Sequence, residues 1–306
     1  MKLAGSVLLG LALAASTSLT ALAQDETRAA AHMAAPMANS VSVVRLRGGA
    51  YWVSGGSSNS GFVVGKTGVI VVDAQMSPDA ARQEQAEIAK ITKLPVNVLV
   101  LTHSDPDHIN GLPSWPAGAT VVAQVNANRD MRRVVTFPNS NGAPPPADIV
   151  KYLPNHTVGI TQSLSFDHVP MVFLHLSPAH TDGDIAVYLP HQRVVFGGDM
   201  MVPTVAAYPG VHLNKNGSSA GWIRMTKAML MLDADTYISG HGEAMTKAEV
   251  RQRLASAERR RDDIHEMVAE NMTLPEIKAA LHEPQSTGGR FPTFTETTYK
   301  EITEPR

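Results

Sequence analysis

From Val41 onward the chain alternates short apolar runs with turns punctuated by glycine. "SVVRLRGGAYWVSGG" and "SGFVVGKTGVIVVDAQ" read as consecutive antiparallel strands and hairpins, β-branched runs broken by Gly pairs. Ser77-Pro78 then opens a helix, with serine as cap and proline at the first helical position, running to about Ile91. "VNVLVLTH" is almost continuously apolar, the pattern of a strand buried on both faces. A strand "ATVVAQ", a short helix over 126–133 and a Pro-rich loop "NSNGAPPPAD" follow. The next strands are "HTVGITQSLSF", "VPMVFLHLSP", "DIAVYLP" and "RVVFGGDM". A helix over 219–232 precedes a strand in "TYISGHG", and the pattern turns helical over 246–272 and 273–282. The polar tail from Glu283 is expected to be loose. Strand-rich blocks each broken by single helices, twice over, predict an α/β chain of α+β type, two sheets face to face with helices outside.

Composition narrows the partners. The 306 residues are 43% hydrophobic and 18% charged with a net charge of −2, enough chain for a large core and no basic field for nucleic acid. The one arginine run, "ERRRDD" around Arg259, mixes signs and reads as a solvated helix face. "MKLAGSVLLGLALAASTSLTALAQ" has a basic Lys2, an apolar run over 8–13 and small residues up to Ala23. That is the pattern of a secretory signal peptide over 1–23, cleaved before Gln24, and predicts a periplasmic or secreted protein. Residues 24–40 read as a flexible leader with His32 incidental, 41–250 as the folded domain, and 251–306 as C-terminal helices and tail. No later apolar run can span a bilayer, so no membrane partner is expected after cleavage. The absence of cysteine excludes disulfides, thiolate ligands and cysteine nucleophiles together; any metal must be held by His, Asp or Glu.

Candidate chemistry concentrates in "VLVLTHSDPDHINGLP" (98–113), where an aliphatic strand ends in His103, Asp105, Asp107 and His108. Imidazoles and carboxylates are what zinc, iron or manganese accept when thiolates are absent. Taken alone, the cluster also fits a polar turn with an aspartate cap. Three further strand ends present a metal-competent residue beside glycine or a tight turn: His180 in "LSPAHTDGD", Asp199 in "RVVFGGDM" and His241 in "TYISGHGEA". Four such coincidences favour one shared pocket. Tyr208 in "AAYPG" offers a phenol to a substrate carbonyl, with packing as the competing role. Trp52 and Phe62 are candidates for an apolar wall or for the core, whereas Trp222 and the methionines of "MTKAMLML" fit helix-to-sheet packing. His156, His168, His175, His191 and His212 fall outside the pattern and receive no role.

The ordered series resembles the metallo-β-lactamase superfamily, whose signature HxHxDH after a buried strand is followed by a His, an Asp or Cys, and a His. "GVIVVDA", ending in Asp73, is similar to the early strand that closes on a structural aspartate, and the resemblance spans about 41–250. It implies a four-layer αββα sandwich, here with a C-terminal helical extension. By the same resemblance His103, Asp105 and His180 hold a first zinc, Asp107, His108 and His241 a second, and Asp199 bridges them. A water or hydroxide between the metals would then attack an ester, lactone, thioester or amide such as a β-lactam, with Asp107 handling the proton. The activity implied is that of a β-lactamase-like, glyoxalase II-like or lactonase-like hydrolase of small molecules. One position departs from the pattern. Asp105 stands where the family has its second histidine, giving HxDxDH. Two divalent cations, a hydroxide and two carboxylates leave one net positive charge, which a third carboxylate cancels, so a weaker first site is expected. The flavodiiron branch is similar in carrying an acidic residue there and binding iron, but these 306 residues leave no stretch for its flavin domain. Alternatives to the hydrolase are therefore a non-catalytic or mononuclear binding protein and an iron oxidoreductase, with manganese a further candidate metal.

Overall fold

The computed structural model describes residues 40–133, 147–201, 208–283 and 292–304. The signal-peptide reading of 1–23, nearly all of the leader with His32, and most of the Pro-rich loop lie outside them. Thirteen described strands form two sheets. The first runs β1 (Ser42–Arg45), β2 (Ala50–Ser54), β3 (Ser60–Val64), β4 (Val69–Val72), β5 (Val96–Val100), β6 (Thr120–Gln124) and β7 (His156–Val158) in that spatial order. The second contains β8 (Gln162–Phe166), β9 (Val169–Leu174), β10 (Ala186–Leu189), β11 (Val194–Gly198), β12 (Thr236–Ser239) and β13 (Met245–Thr246), ordered from β13 to β8. The helices are α1 (Pro78–Ile91), α2 (Pro106–Ile109), α3 (Val125–Arg133), α4 (Ser219–Met231), α5 (Lys247–Ala269), α6 (Leu274–Ala280) and α7 (Phe294–Thr303).

Strand periodicity builds the layers. In β4 and β5, Ile70, Val72, Val98 and Val100 face the second sheet, where Phe173, Val187 and Phe196 meet them. The alternate residues Val69, Val71, Leu99 and Leu101 face outward onto Ala81 and Ile88 of α1 and Ile109 of α2. A strand covered on both sides has no polar face to show, which is why these runs are continuously apolar. The second sheet repeats the scheme: Val195 and Tyr237 pack outward against Trp222, Met225 and Met229 of α4 and Val250 and Leu254 of α5. The result is the expected four-layer αββα sandwich. Where the layers are crossed, strands pair in parallel: β4 with β5 across α1, and β11 with β12 across α4. Both crossovers aim strand C-termini at one rim.

Two expectations are corrected. "HTVGITQSLSF" is two strands in different sheets: β7 pairs with β6, β8 pairs with β9, and the chain changes sheet over 159–161. The tail after Glu283 is not all loose, since α7 packs against α5 and α4 with Phe294, Thr295, Thr297 and Thr298 buried. Among the described residues no helix is long and apolar enough to cross a membrane.

Candidate metal centre

The centre starts from Asp73, in the left-handed conformation (φ 63°) just after β4. Its Oδ1 accepts from the Thr102 amide at 2.7 Å and its Oδ2 from the Thr102 hydroxyl at 2.8 Å, which fixes the end of β5. Thr102 has one hydroxyl hydrogen and gives it to Asp73, so its oxygen can only accept from His103 Nδ1, 3.0 Å away. His108 Nδ1 lies 2.9 Å from Asp73 Oδ2, and His180 Nδ1 lies 2.9 Å from the Gly210 carbonyl. In all three imidazoles the Nδ1–H therefore points outward and Nε2 faces into the cluster, the arrangement of a metal-ligating histidine with its supporting acceptor.

All seven predicted residues converge. Asp107, His108, Asp199 and His241 offer donor atoms within 4.8 Å of one another, as do His103, His180 and Asp199. His241 Nε2 sits 3.1 Å from Asp107 Oδ2 and 3.3 Å from Asp199 Oδ2; His103 and His180 Nε2 lie 3.9 and 3.7 Å from the same Asp199 oxygen. Asp199 thus faces both groups. Two glycines make this approach possible: a Cβ at Gly240 would stand 1.9 Å from Asp199 Oδ1, and Gly198 takes φ 51° against Thr102. The β2–β3 loop braces the rim, with Ser58 Oγ donating to the Asp107 carbonyl and Asn59 Nδ2 to those of Ser239 and Gly242.

Electrostatics points to a missing positive charge. His103 Nε2, His108 Nε2 and Asp199 Oδ1 are buried with no hydrogen-bond partner among the described residues. His108 Nε2 and Asp199 Oδ1 are 3.2 Å apart, yet not in hydrogen-bond geometry. Leaving such groups unsatisfied costs about 1–3 kcal/mol each, more when charged. Burial would raise the Asp199 carboxyl, but His241 and His108 hold it well below the usual carboxylate range. Burial pushes His103 down to about 4, helped by neighbouring His108. Burial would also lower His241, but Asp199 and Asp107 override it and raise the imidazole to about 10. His241 thus holds a proton between the two carboxylates while His103 stays neutral, and a divalent cation fits this donor set and would take that proton's place.

The structure adds two residues to the cluster. His212 Nδ1 lies 3.2 Å from Asp105 Oδ2, and Asp105, His180 and His212 form a third group of donor atoms within 4.8 Å. Lys215, 2% exposed, reaches Asp105 Oδ1 at 2.6 Å. Both come from a loop rather than a strand end, and strand ends were the sequence signal. Tyr208 is half-buried; it stacks on Phe294 with ring centroids 5.8 Å apart, and the Arg260 guanidinium lies 4.5 Å over its ring. Trp52 and Phe62 are buried in the core, and Trp222 packs between α4 and the second sheet.

The sequence model of the Metallo-beta-lactamase superfamily matches residues 53–241, more than half of the chain. The chain belongs to that superfamily. The alpha subunit of the 2,4-dinitroanisole O-demethylase of Nocardioides sp. (strain JS1661) is 26% identical over 205 residues, 67% of this chain and 58% of that one. The linear primary-alkylsulfatase of Pseudomonas sp. (strain ATCC 19151) is 25% identical over 219 residues, 60% of this chain and 41% of that one. The chain therefore spans about half the length of these curated relatives. Among solved structures, the inverting sec-alkylsulfatase Pisa1 from Pseudomonas sp. superposes with a TM-score of 0.67 at 16% identity, covering 87% of this chain and 51% of that one. The metallo-beta-lactamase FIM-1 from Pseudomonas aeruginosa, in its mono-zinc form, superposes with a TM-score of 0.58 at 22% identity, covering 73% and 97%. These two share the fold.

Proposed function

We propose that the chain is an exported, metal-dependent hydrolase that cleaves an ester-type bond of a small molecule at a dinuclear zinc centre. The observation carrying this reading is the convergence of His103, His108 and His180, each turning Nε2 inward from a fixed Nδ1–H, on the carboxylate of Asp199. His103, Asp105, His180 and Asp199 would hold one cation, and Asp107, His108, His241 and Asp199 the other. Such cations lower the pKa of a water from about 15.7 towards neutrality and polarise the bond under attack.

The residues divide the remaining work by exposure. The first group is sealed, with His103 and His180 side chains 1% and 6% exposed, whereas His241 is 39% and Asp107 26% exposed. Substrate therefore approaches over Asp107 and His241. Asp107, held by His241 and reaching the rim, is placed to carry a proton to the leaving group. Two curated relatives, a sulfatase and an O-demethylase, are named for a bond to oxygen, which favours an ester, lactone or sulfate ester over an amide.

The test is elemental analysis of the purified protein, followed by turnover of chromogenic aryl acetates, lactones, thioesters, aryl sulfates and a cephalosporin. Two zinc ions per chain and turnover of an oxygen ester are expected. Asp199→Ala and His241→Ala should each abolish that turnover while the protein stays folded. Wild-type rates in either variant would remove the assignment.

A further inference from the structure

Asp105 occupies a position at which an imidazole would bring one neutral donor atom, and the structure surrounds it with an unusual pair. Its Oδ1 is 2.6 Å from Lys215 Nζ, which also donates to Ser104 Oγ at 3.0 Å and to the Ser104 carbonyl at 3.2 Å. Its Oδ2 faces His180 Nε2 at 3.1 Å, His212 Nδ1 at 3.2 Å and His103 Nε2 at 3.8 Å. The rings of His180 and His212 are 4.1 Å apart. Asp105 caps no helix, although it precedes α2, because its carboxylate is turned away to these partners.

The loop carrying His212 and Lys215 is built onto the His180 turn rather than resting against it. The His212 amide donates to the His180 carbonyl at 2.8 Å, the Asp182 amide to the Lys215 carbonyl at 2.8 Å, and the Ser218 amide to the Ala179 carbonyl at 2.8 Å. Asn216 Nδ2 donates to Asp182 Oδ2, and both oxygens of Asp182 are clamped by Arg129. A Cβ at Gly217 would stand 2.3 Å from the His180 carbonyl oxygen, so glycine is what lets the two segments close.

We propose that His212 and Lys215 together replace the histidine absent at position 105: His212 Nδ1 is an additional ligand of the first cation, and Lys215 is a positioning residue that occupies Asp105 Oδ1. Asp105 then presents one oxygen to the pocket, as an imidazole presents one nitrogen. Its negative charge is met by the Lys215 ammonium, so the centre keeps the net positive charge that a third carboxylate would otherwise cancel, and with it an attraction for anionic or electron-rich substrates. This rests on the metal-centre reading and goes beyond it, because HxDxDH by itself predicts a weakened first site.

The experiment titrates the metal-free full chain with Co(II), reading stoichiometry, affinity and the visible ligand-field spectrum. The wild type should take two cobalt ions. His212→Ala should weaken one of them tenfold or more and change its spectrum, within the range usual when a site's supporting partners are removed. His241→Ala should weaken the other. Lys215→Met should also weaken the first cobalt, Lys215→Arg should retain it, and adding Asp105→His to Lys215→Met should restore it, since no charge is left to balance. A Lys215→Met chain that folds only with Asp105→His present supports the same pairing. Wild-type cobalt affinity and spectrum in His212→Ala would overturn the ligand assignment, and a Lys215→Met loss that Asp105→His does not reverse would overturn the role of Lys215. Failure of the wild type to bind any cobalt would instead overturn the metal-centre reading itself.

Discussion

Glu84 shows at the residue scale how a single buried carboxyl is used for structure rather than chemistry. It sits on α1 with 0% exposure, its Oε2 accepting from Ser60 Oγ at 2.7 Å and Gln75 Nε2 at 3.0 Å. Burial raises its pKa from the ordinary 4.5 to about 8, outweighing the two hydrogen bonds that favour the anion. Between those values the folded protein holds a proton that the unfolded chain has released. Stability should therefore fall as pH rises from about 4.5 to about 8, by at most about 1.4 kcal/mol per unit. Glu84→Gln keeps the shape and removes the titration. Between the two ends of that window the urea midpoint should fall further in the wild type than in the variant, and an equal change in both would show that Glu84 is ionised in the fold. Lys215 is the opposite case, a buried cation whose partner was visible in the sequence while it was not. Nothing in "VHLNKNG" marks the lysine as buried, because lysine is ordinarily exposed and its pairing with Asp105 joins positions 110 apart.

Elements with strong local signals were legible in the sequence. Ser77 accepts from the Ala80 amide with Pro78 behind it, as the Ser-Pro pair predicts, and the continuously apolar runs became strands covered on both faces. What failed was sequence whose structure depends on distant contacts. Thr293-Phe294-Thr295-Glu296 carries a complete capping box, yet the short polar stretch after it has no apolar period by which to be recognised as a helix. It folds because Phe294 enters the core under α4 and α5, and because Glu301 reaches back to the start of α4, accepting from the Ser219 amide at 2.7 Å and from its hydroxyl. Phe294→Ala should destabilise by about 3–5 kcal/mol. Glu301→Ala should cost about 1–2 kcal/mol by taking the acceptor away from the Ser219 amide and hydroxyl, with the Ser218 cap on the Gly221 amide left in place. Chemical denaturation distinguishes the two. A neutral Phe294→Ala would mean that α7 is detached in solution.

At the scale of the whole molecule the candidate centre is also a seam. His103, Asp105, Asp107 and His108 follow β5 of the first sheet, whereas His180, Asp199 and His241 hang from the second. The seven side chains therefore bring charge from both halves to one rim, and in the absence of a cation they leave buried nitrogens and a carboxylate oxygen unsatisfied at the join. A cation bound there interacts with both sheets at once and with neither in the unfolded chain, so its binding free energy adds to folding. At free zinc about 100-fold above the dissociation constant the gain is about 2.7 kcal/mol per site. For a domain of this size that corresponds to about 5–10 °C in Tm. Chelator-treated protein should melt lower by about that amount for each site emptied, recover on addition of zinc, and show no recovery in Asp199→Ala, whose carboxylate faces both groups. A cation that only decorated the surface would leave the three melting curves superimposed. A cation that joins the sheets should raise the single transition of the whole sandwich, because neither sheet keeps its inner face covered once the other has gone.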